Sequence, residues 1–478
     1  MVLRVYESQI LYIVDFKPYR MIFSLTYEGK QFMLVNRKTA VEDANAFTVI
    51  VGKNGTGKSR MLGKIAADFI GRLKSFSPQL YFERDLFVDG QTSFSRAPSK
   101  LIAVSTSPFD RFPIYRVNKR SEISEYSYLG IRELMTRNFG LAYMSKIMAA
   151  LIEVTMQKHS QVAEIIRVLE YLGYAENISI RMESRVTDKF VDEILHDGIR
   201  YFEDDRKRPR PAYMGFNRAF FYNEDDTVSK KKVTQLLKVF SKLRNKTLRD
   251  LRNIHLEFDR RGILTDDLYT GHIEDLIYLL KTGLVRLRDV TLTKLSSQAP
   301  FSIADASSGE QAVVISILGI ASQIQDGAVI CIDEPEICLH PEWQERYIKI
   351  LTSTFRMYSG CHFIIATHSP QIVSNLEPRN SYILSLETGK TINAREYIRH
   401  SSDFQLANVF NSPGFKNEYL SRIALNIFAK VSKNKTFDEE DVSQYRLLNI
   451  QSEYLSQDDP VYQLYLALKE MYQTYGRH

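Results

Sequence analysis

At 478 residues, 44% hydrophobic and 25% charged, the chain has the composition of a soluble globular protein and the length for two or three domains. It has no uninterrupted run of about 18 apolar residues, which excludes a membrane-spanning helix. The formal net charge is +6, but residues 206–261 hold 16 Lys or Arg against 6 Asp or Glu, a local +10 that leaves −4 for the rest. That asymmetry points to an acidic partner, with nucleic acid as the first candidate.

The N-terminal run "MVLRVYESQILYIVDF" has early charges and no A-x-A-like cleavage site, so it reads as a first strand and not as a signal peptide. "RMIFSLTYEGKQFMLV" predicts a hairpin turning at Glu28-Gly29-Lys30. "AFTVIV" (46–51) predicts a strand that runs into a glycine-rich loop. Met61, Leu62, Ile65, Ala66 and Phe69 then follow at helical spacing. "KLIAVSTSP" (100–108) is a further short apolar strand, ended by Pro108.

Between about Tyr128 and Asp250 the pattern is mainly amphipathic helix, interrupted by the loop-like "EDDRKRPRPAYMG". Strand-helix alternation returns with "VRLRDVTLTKL", "AVICID", "EWQERYIKILTSTFRM" and "HFIIAT", and the last 90 or so residues are helical in pattern. Neither an internal repeat nor sustained heptads are present. Cys331, Cys338 and Cys361 fit no zinc spacing and read as reduced, structural thiols of a cytoplasmic protein.

The chemistry begins with "GKNGTGKS" (52–59), which fits G-x-x-x-x-G-K-[ST] with a strand before it and a helix after it. Glycines let such a loop curl so that its N–H groups face phosphate oxygens, beside the positive end of the helix. Lys58 then reaches the β- and γ-phosphates, and the Ser59 hydroxyl can ligate Mg²⁺.

"DGAVICIDEPEICLHP" (326–341) drives an apolar strand into two adjacent carboxylates, an arrangement that is costly unless a cation or proton meets them. Beside a phosphate loop the pair has a use: Asp333 serves Mg²⁺ and Glu334 polarises the attacking water. "SSGEQ" (307–311) precedes an apolar helix, where Ser308 and Gly309 offer a second anion site. "HFIIATHSP" puts His368 at the end of another buried strand, in reach of a γ-phosphate or the water.

In this order the parts resemble the ABC-type ATPase fold, in the branch that includes RecF, SMC and OLD-like ATPases. The resemblance makes Gly52, Lys53, Asn54, Gly55, Thr56, Gly57, Lys58 and Ser59 the Walker A loop for ATP. It makes "AVICIDE" Walker B, "EICLHPEWQ" the D-loop region, His368 the switch histidine and "SSGEQ" the signature. The signature departs from L-S-G-G-Q at Ser307 and Glu310. A clear Q-loop glutamine is missing, and Ser105 or Thr106 lies where that loop begins.

The expected fold is α/β: an ABC-type P-loop head with an antiparallel β subdomain, a helical insertion and a helical C-terminal tail. The expected regions are 1–125 and 281–390 for the two halves of the head, 126–280 for the insertion and 391–478 for the tail. The resemblance also implies head-to-tail dimers or higher homo-oligomers. In them Ser308, Gly309 and Gln311 complete the partner's ATP site in trans.

The short insert, "SPFDRFP" (107–113) and the compact tail are most similar to PtuA, the ATPase subunit of Septu anti-phage systems, which acts with a separate HNH nuclease. No TOPRIM, H-N-H or P-D-(D/E)-x-K pattern accompanies the motifs, so the chain itself is expected to be an ATPase and not a nuclease. The alternatives are a stand-alone RecF-like DNA-repair ATPase and a slow-turnover, ATP-locked oligomer. The basic 206–261 segment is either a DNA surface or a solvated helix face. Tyr454, Tyr462, Tyr465 and Tyr472 in the tail either dock a partner or pack a core.

Overall fold

A computed structural model describes residues 21–41, 44–72, 92–93, 97–114, 125–130, 132, 144–145, 147–149, 151–152, 159–184, 186–203, 218–223, 227–243, 253–265 and 273–476. The expected N-terminal strand at 1–16 lies outside them, as does much of the basic segment. The first elements are β1 (Ser24–Tyr27), β2 (Lys30–Met33), β3 (Ala46–Val51), α1 (Lys58–Arg72), β4 (Thr92–Ser93), β5 (Leu101–Ser105) and β6 (Tyr126–Gly130). β1 and β2 form the expected hairpin, with Tyr27 opposite Lys30. Its two turn residues, Glu28 and Gly29, have φ of 49° and 70°, as a type I′ turn requires.

Next come α2 (His159–Leu172), β7 (Tyr174–Ser184), α3 (Asp188–Asp197), α4 (Ile199–Glu203), α5 (Lys230–Leu243), β8 (Ile254–Asp259), β9 (Gly262–Thr265), α6 (Ile273–Lys281), β10 (Val285–Lys294) and β11 (Pro300–Ser302). The second half of the head contains α7 (Ser308–Ala321), β12 (Val329–Asp333), α8 (Pro341–Thr354), β13 (His362–Ala366), α9 (Pro370–Ser374), β14 (Ser381–Ser385) and β15 (Thr391–Asn393). Helices α10 (Ser402–Asn408), α11 (Glu418–Asn434), α12 (Glu439–Gln451) and α13 (Pro460–Tyr475) close the chain.

The central sheet has the order β15-β14-β3-β13-β12-β5-β6. β14, β3, β13, β12, β5 and β6 run parallel, and β15 is antiparallel at one edge. β3, β5, β12 and β13 are buried along their whole length, because parallel strands are covered by helices on both faces. This explains the unbroken apolar run before Asp333: β12 lies between β13 and β5 in the middle of the sheet. The C-terminal ends of parallel strands form one edge, where ligands of α/β folds bind.

Two features differ from expectation. The head does not end at residue 125, because β6 pairs in parallel with β5. The insertion is not purely helical either: β7, β8 and β9 join β10 and β11 in a five-stranded antiparallel sheet. In β7 every second residue from Ile178 to Ser184 is buried, including Ile180 and Met182, the period of a half-buried strand. A three-stranded sheet β2-β1-β4 completes the antiparallel part. The α/β head, the antiparallel sheets and the helical C-terminal segment agree with the fold expected from the sequence.

The tail has its own core, in which Leu420, Ile423, Ile427, Val431, Leu448, Val461, Tyr465 and Leu468 are buried. Among the described residues, no helix is long and apolar enough to cross a membrane.

Candidate functional site: a phosphate loop facing an acidic strand end

The loop from β3 to α1 is built on glycines that no other residue replaces cheaply. Gly55 and Gly57 have φ of 81° and 97°, and a Cβ on Gly57 would lie 3.1 Å from the Tyr27 hydroxyl. Thr56 Oγ1 donates to Lys53 O at 2.8 Å, and Lys58 Nζ donates to Gly52 O at 2.9 Å and Lys53 O at 3.2 Å. The loop thus curls around a buried ammonium. Burial lowers the Lys58 pKa, against the pull of Glu334, Glu336 and Asp333.

Ser59 Oγ donates to Asp333 Oδ1 at 3.0 Å, so the first turn of α1 meets the end of β12. Asp333 is buried, and burial pushes its pKa from 3.8 up to about 7; Glu334, Asp110 and Glu336 add to the rise while Ser59 opposes it. These groups suit Mg²⁺, since a hydroxyl and a carboxylate converge there. Buried polar atoms without a hydrogen-bond partner include Glu336 Oε2 and Thr106 Oγ1, which flank the same strand ends.

A carboxylate whose folded pKa is raised stabilises the fold below its ordinary pKa, and that contribution is lost as pH rises through the folded value. Metal-free wild type is therefore expected to lose stability relative to Asp333→Asn between pH 4 and pH 8, as measured by urea titration at each pH. A constant difference would contradict the burial argument.

Glu334 has φ of 48°, a left-handed conformation that is uncommon for a non-glycine residue, and its N–H donates to Ala366 O at 2.9 Å. Its Oε1 lies 3.7 Å from His368 Nε2. Burial and Lys58 lower the His368 pKa to about 4, so the ring is neutral at pH 7. At 3.7 Å the two groups are not hydrogen-bonded, but both can address one water. Glu336 Oε1 accepts from the His368 N–H, tying the acidic turn to the end of β13. Burial raises the Glu336 pKa.

"SPFDRFP" folds into a tightly held loop after β5. Ser105 stands beside Asp333 in the sheet and accepts from Ser107 N at 3.0 Å. Asp110 accepts from Phe112 N at 3.0 Å and from the Tyr128 hydroxyl at 2.7 Å. Arg132 donates to the Asp110 and Phe112 carbonyls. A Cβ on Gly63 of α1 would fall 2.3 Å from Arg111 O, so this helix must be bare where the loop crosses it. Gly63→Val is expected to destabilise the fold by about 1–3 kcal/mol in denaturant titration, and an unchanged midpoint would contradict the close packing.

The signature segment opens α7. Ser307 caps the helix by accepting from Glu310 N at 3.2 Å, and Ser308 begins it, exposed. Gly309 is buried, and a Cβ there would sit 2.7 Å from Cys338 O. Gln311 Nε2 donates to Ala306 O at 3.1 Å. Glu310, which replaces the second glycine of the usual motif, accepts from the Tyr174 hydroxyl at 2.6 Å and pairs with Lys294 at 3.2 Å. Among the described residues, the side chains of Ser307, Glu310 and Gln311 bond to Tyr174 and to backbone at the start of α7 and not to the phosphate loop.

The structure thus brings Lys58, Ser59, Asp333, Glu334 and His368 to one edge, with the signature bonded elsewhere. Asp110 and Glu336 are additions that sequence reasoning did not single out, and Glu310 enters it only as a departure from L-S-G-G-Q. The three acids around one proline in D-E-P-E carry a signal for Glu336, whereas nothing local pairs Glu310 with Tyr174. In the basic segment, Lys230, Lys231 and Lys238 of α5 are exposed, Lys242 pairs with Asp275 at 2.9 Å and Lys232 lies over the Phe220 ring.

A family model described as "AAA domain, putative AbiEii toxin, Type IV TA system" matches residues 163–374, which include the signature, the acidic strand end and His368. The chain is 28% identical over 156 residues to "Retron Ec83 probable ATPase" of Escherichia coli, covering 29% of this chain and 28% of that protein. It is 27% identical over 140 residues to "Retron Vc95 probable ATPase" of Vibrio cholerae serotype O1 biovar El Tor, covering 27% and 24%. The chain therefore matches only about a quarter of the length of these curated relatives.

Among solved structures, an Smc head domain from Pyrococcus furiosus bound to the C-terminal domain of ScpA aligns at 14% identity and a TM-score of 0.30, over 80% of this chain and 98% of that one. The ADP conformation of an ATP-binding cassette of an ABC transporter aligns at 12% and 0.26, over 79% and 93%. Likenesses this distant say nothing about function. The family match covers less than half of the chain, and the site beside it has the layout of a nucleotide-binding phosphate loop facing an acidic strand end.

Proposed function

We propose that this protein is an ATP-hydrolysing, ABC-type subunit of an anti-phage defence system that closes head to tail on ATP and holds or licenses a separate nuclease of HNH type. The observation that carries the catalytic part is the meeting of Lys58, Ser59, Asp333, Glu334 and His368 at one sheet edge. The named retron ATPases support the defence setting.

Backbone N–H groups of residues 54–59 hold the triphosphate, and Lys58 exchanges its carbonyl partners for phosphate oxygens. Ser59 and Asp333 would hold Mg²⁺, which neutralises phosphate charge when bound. Glu334 Oε1 accepts a proton from the water as the water oxygen bonds to the γ-phosphorus and the β–γ bridging oxygen leaves with ADP. Neutral His368 orients that water from the other side. Ser308, Gly309 and Gln311 of a second copy close the site, so that ATP joins two copies and hydrolysis releases them. The exposed lysines of α5 offer DNA a sequence-independent surface.

Mixing two inactive variants tests the sharing of the site. Lys58→Met and Ser308→Arg each inactivate a site, but a mixed dimer regains one whole site. Random pairing in a two-fold dimer then restores about a quarter of wild-type phosphate release. Mixtures as inactive as their components would contradict completion in trans.

A further inference from the structure

Of the four tail tyrosines, Tyr465 is buried in the tail core and Tyr462 and Tyr472 pack against it. Tyr454 does not join them. It sits in the short turn between α12 and α13, 40% exposed, and its ring lies 4.3 Å from the ammonium of Lys53. Lys53 is the second residue of the phosphate loop, so the C-terminal unit touches the loop directly. The backbone of Lys53 is held from a second direction, its N–H donating to Glu387 Oε1 at 3.0 Å.

The unit reaches the other end of the site as well. α9 starts two residues after His368, and Ser374 of α9 donates to His400 O at 2.7 Å and accepts at its carbonyl from Arg399 N at 2.8 Å. α10 packs on α9 and on α11, and Gln451, at the end of α12, donates to Ala407 O of α10 at 2.7 Å. The C-terminal helices therefore bridge the phosphate loop and the segment behind the switch histidine.

We propose that Tyr454 is a positioning residue that makes the C-terminal helical unit responsive to nucleotide. Its ring holds the Lys53 ammonium, and the charge of a bound triphosphate competes for that ammonium. A cation over an aromatic face at a partly exposed site is held weakly, so phosphate can draw it away. Linkage makes the effect reciprocal: ATP loosens the unit, and loosening the unit favours ATP. The inference rests on the nucleotide-binding reading of residues 52–59.

The test is a double-mutant cycle read by titration with a fluorescent ATP analogue. Tyr454→Leu is expected to tighten binding about 2- to 5-fold, which is the weight of one exposed cation–π contact. Tyr454→Phe keeps the ring and binds as wild type does. On a Lys53→Met background, Tyr454→Leu has no effect. In wild type, ATP raises hydrogen exchange in the Tyr454 turn. A Leu variant that binds like wild type or more weakly overturns the proposal, as does an effect that persists on Lys53→Met. Failure of wild type itself to bind the analogue would instead strike the phosphate-loop reading, so the two failures are distinguishable.

Discussion

Glu334→Gln is expected to slow phosphate release by about 10²- to 10⁴-fold while leaving ATP bound, the usual weight of a lost general base. The amide is close to isosteric and keeps the left-handed backbone turn and the N–H bond to Ala366 O at 2.9 Å. What it loses is the ability to take a proton. Its partner across the site, His368, cannot take over as an acid or as a strong base, because burial and Lys58 hold its pKa at about 4. Glu336 is no substitute either, since its Oε1 is engaged by the His368 N–H and burial favours its neutral form. Single-turnover phosphate release checks the expectation, and a rate within a few-fold of wild type would remove Glu334 from the mechanism.

Lys58→Met is expected to weaken ATP binding by about 10- to 100-fold, the weight of one or two charge-assisted hydrogen bonds. The Lys58 ammonium is buried and donates to Gly52 O at 2.9 Å and Lys53 O at 3.2 Å, so it also holds the curl of the loop. Methionine fills the volume but leaves both carbonyls without that donor. Equilibrium titration with ATP and with ADP separates the contributions: a loss larger for ATP places the charge at the terminal phosphate. Equal affinity of wild type and variant for ATP would contradict the assignment of the loop.

Much of this site could be read from the sequence because its parts are local. The phosphate loop needs glycines at fixed offsets and a strand-to-helix context, and both occur within residues 46–72. Asp333 ends one strand and His368 lies two residues past another, and the unbroken apolar runs of both strands reflect burial on both faces. The strand β7 was less visible, although Ile178, Ile180 and Met182 alternate, because it follows a helix whose apolar spacing dominates the region. Contacts distant in sequence left no local trace at all. Gly63 meets Arg111, Glu310 meets Tyr174, and Lys53 meets Tyr454, each across a long stretch of chain. The tail tyrosines illustrate the limit: spacing alone does not separate Tyr465 in the core from Tyr454 on the phosphate loop.

The central claim is that ATP joins copies of this chain and that Glu334 releases them. Light scattering of wild type and Glu334→Gln, each with and without ATP and Mg²⁺, tests it most directly. The expected result is a mass increase that ATP produces only transiently in wild type and that persists in Glu334→Gln. If the mass of Glu334→Gln does not change when ATP is added, the shared site and the release mechanism are both contradicted.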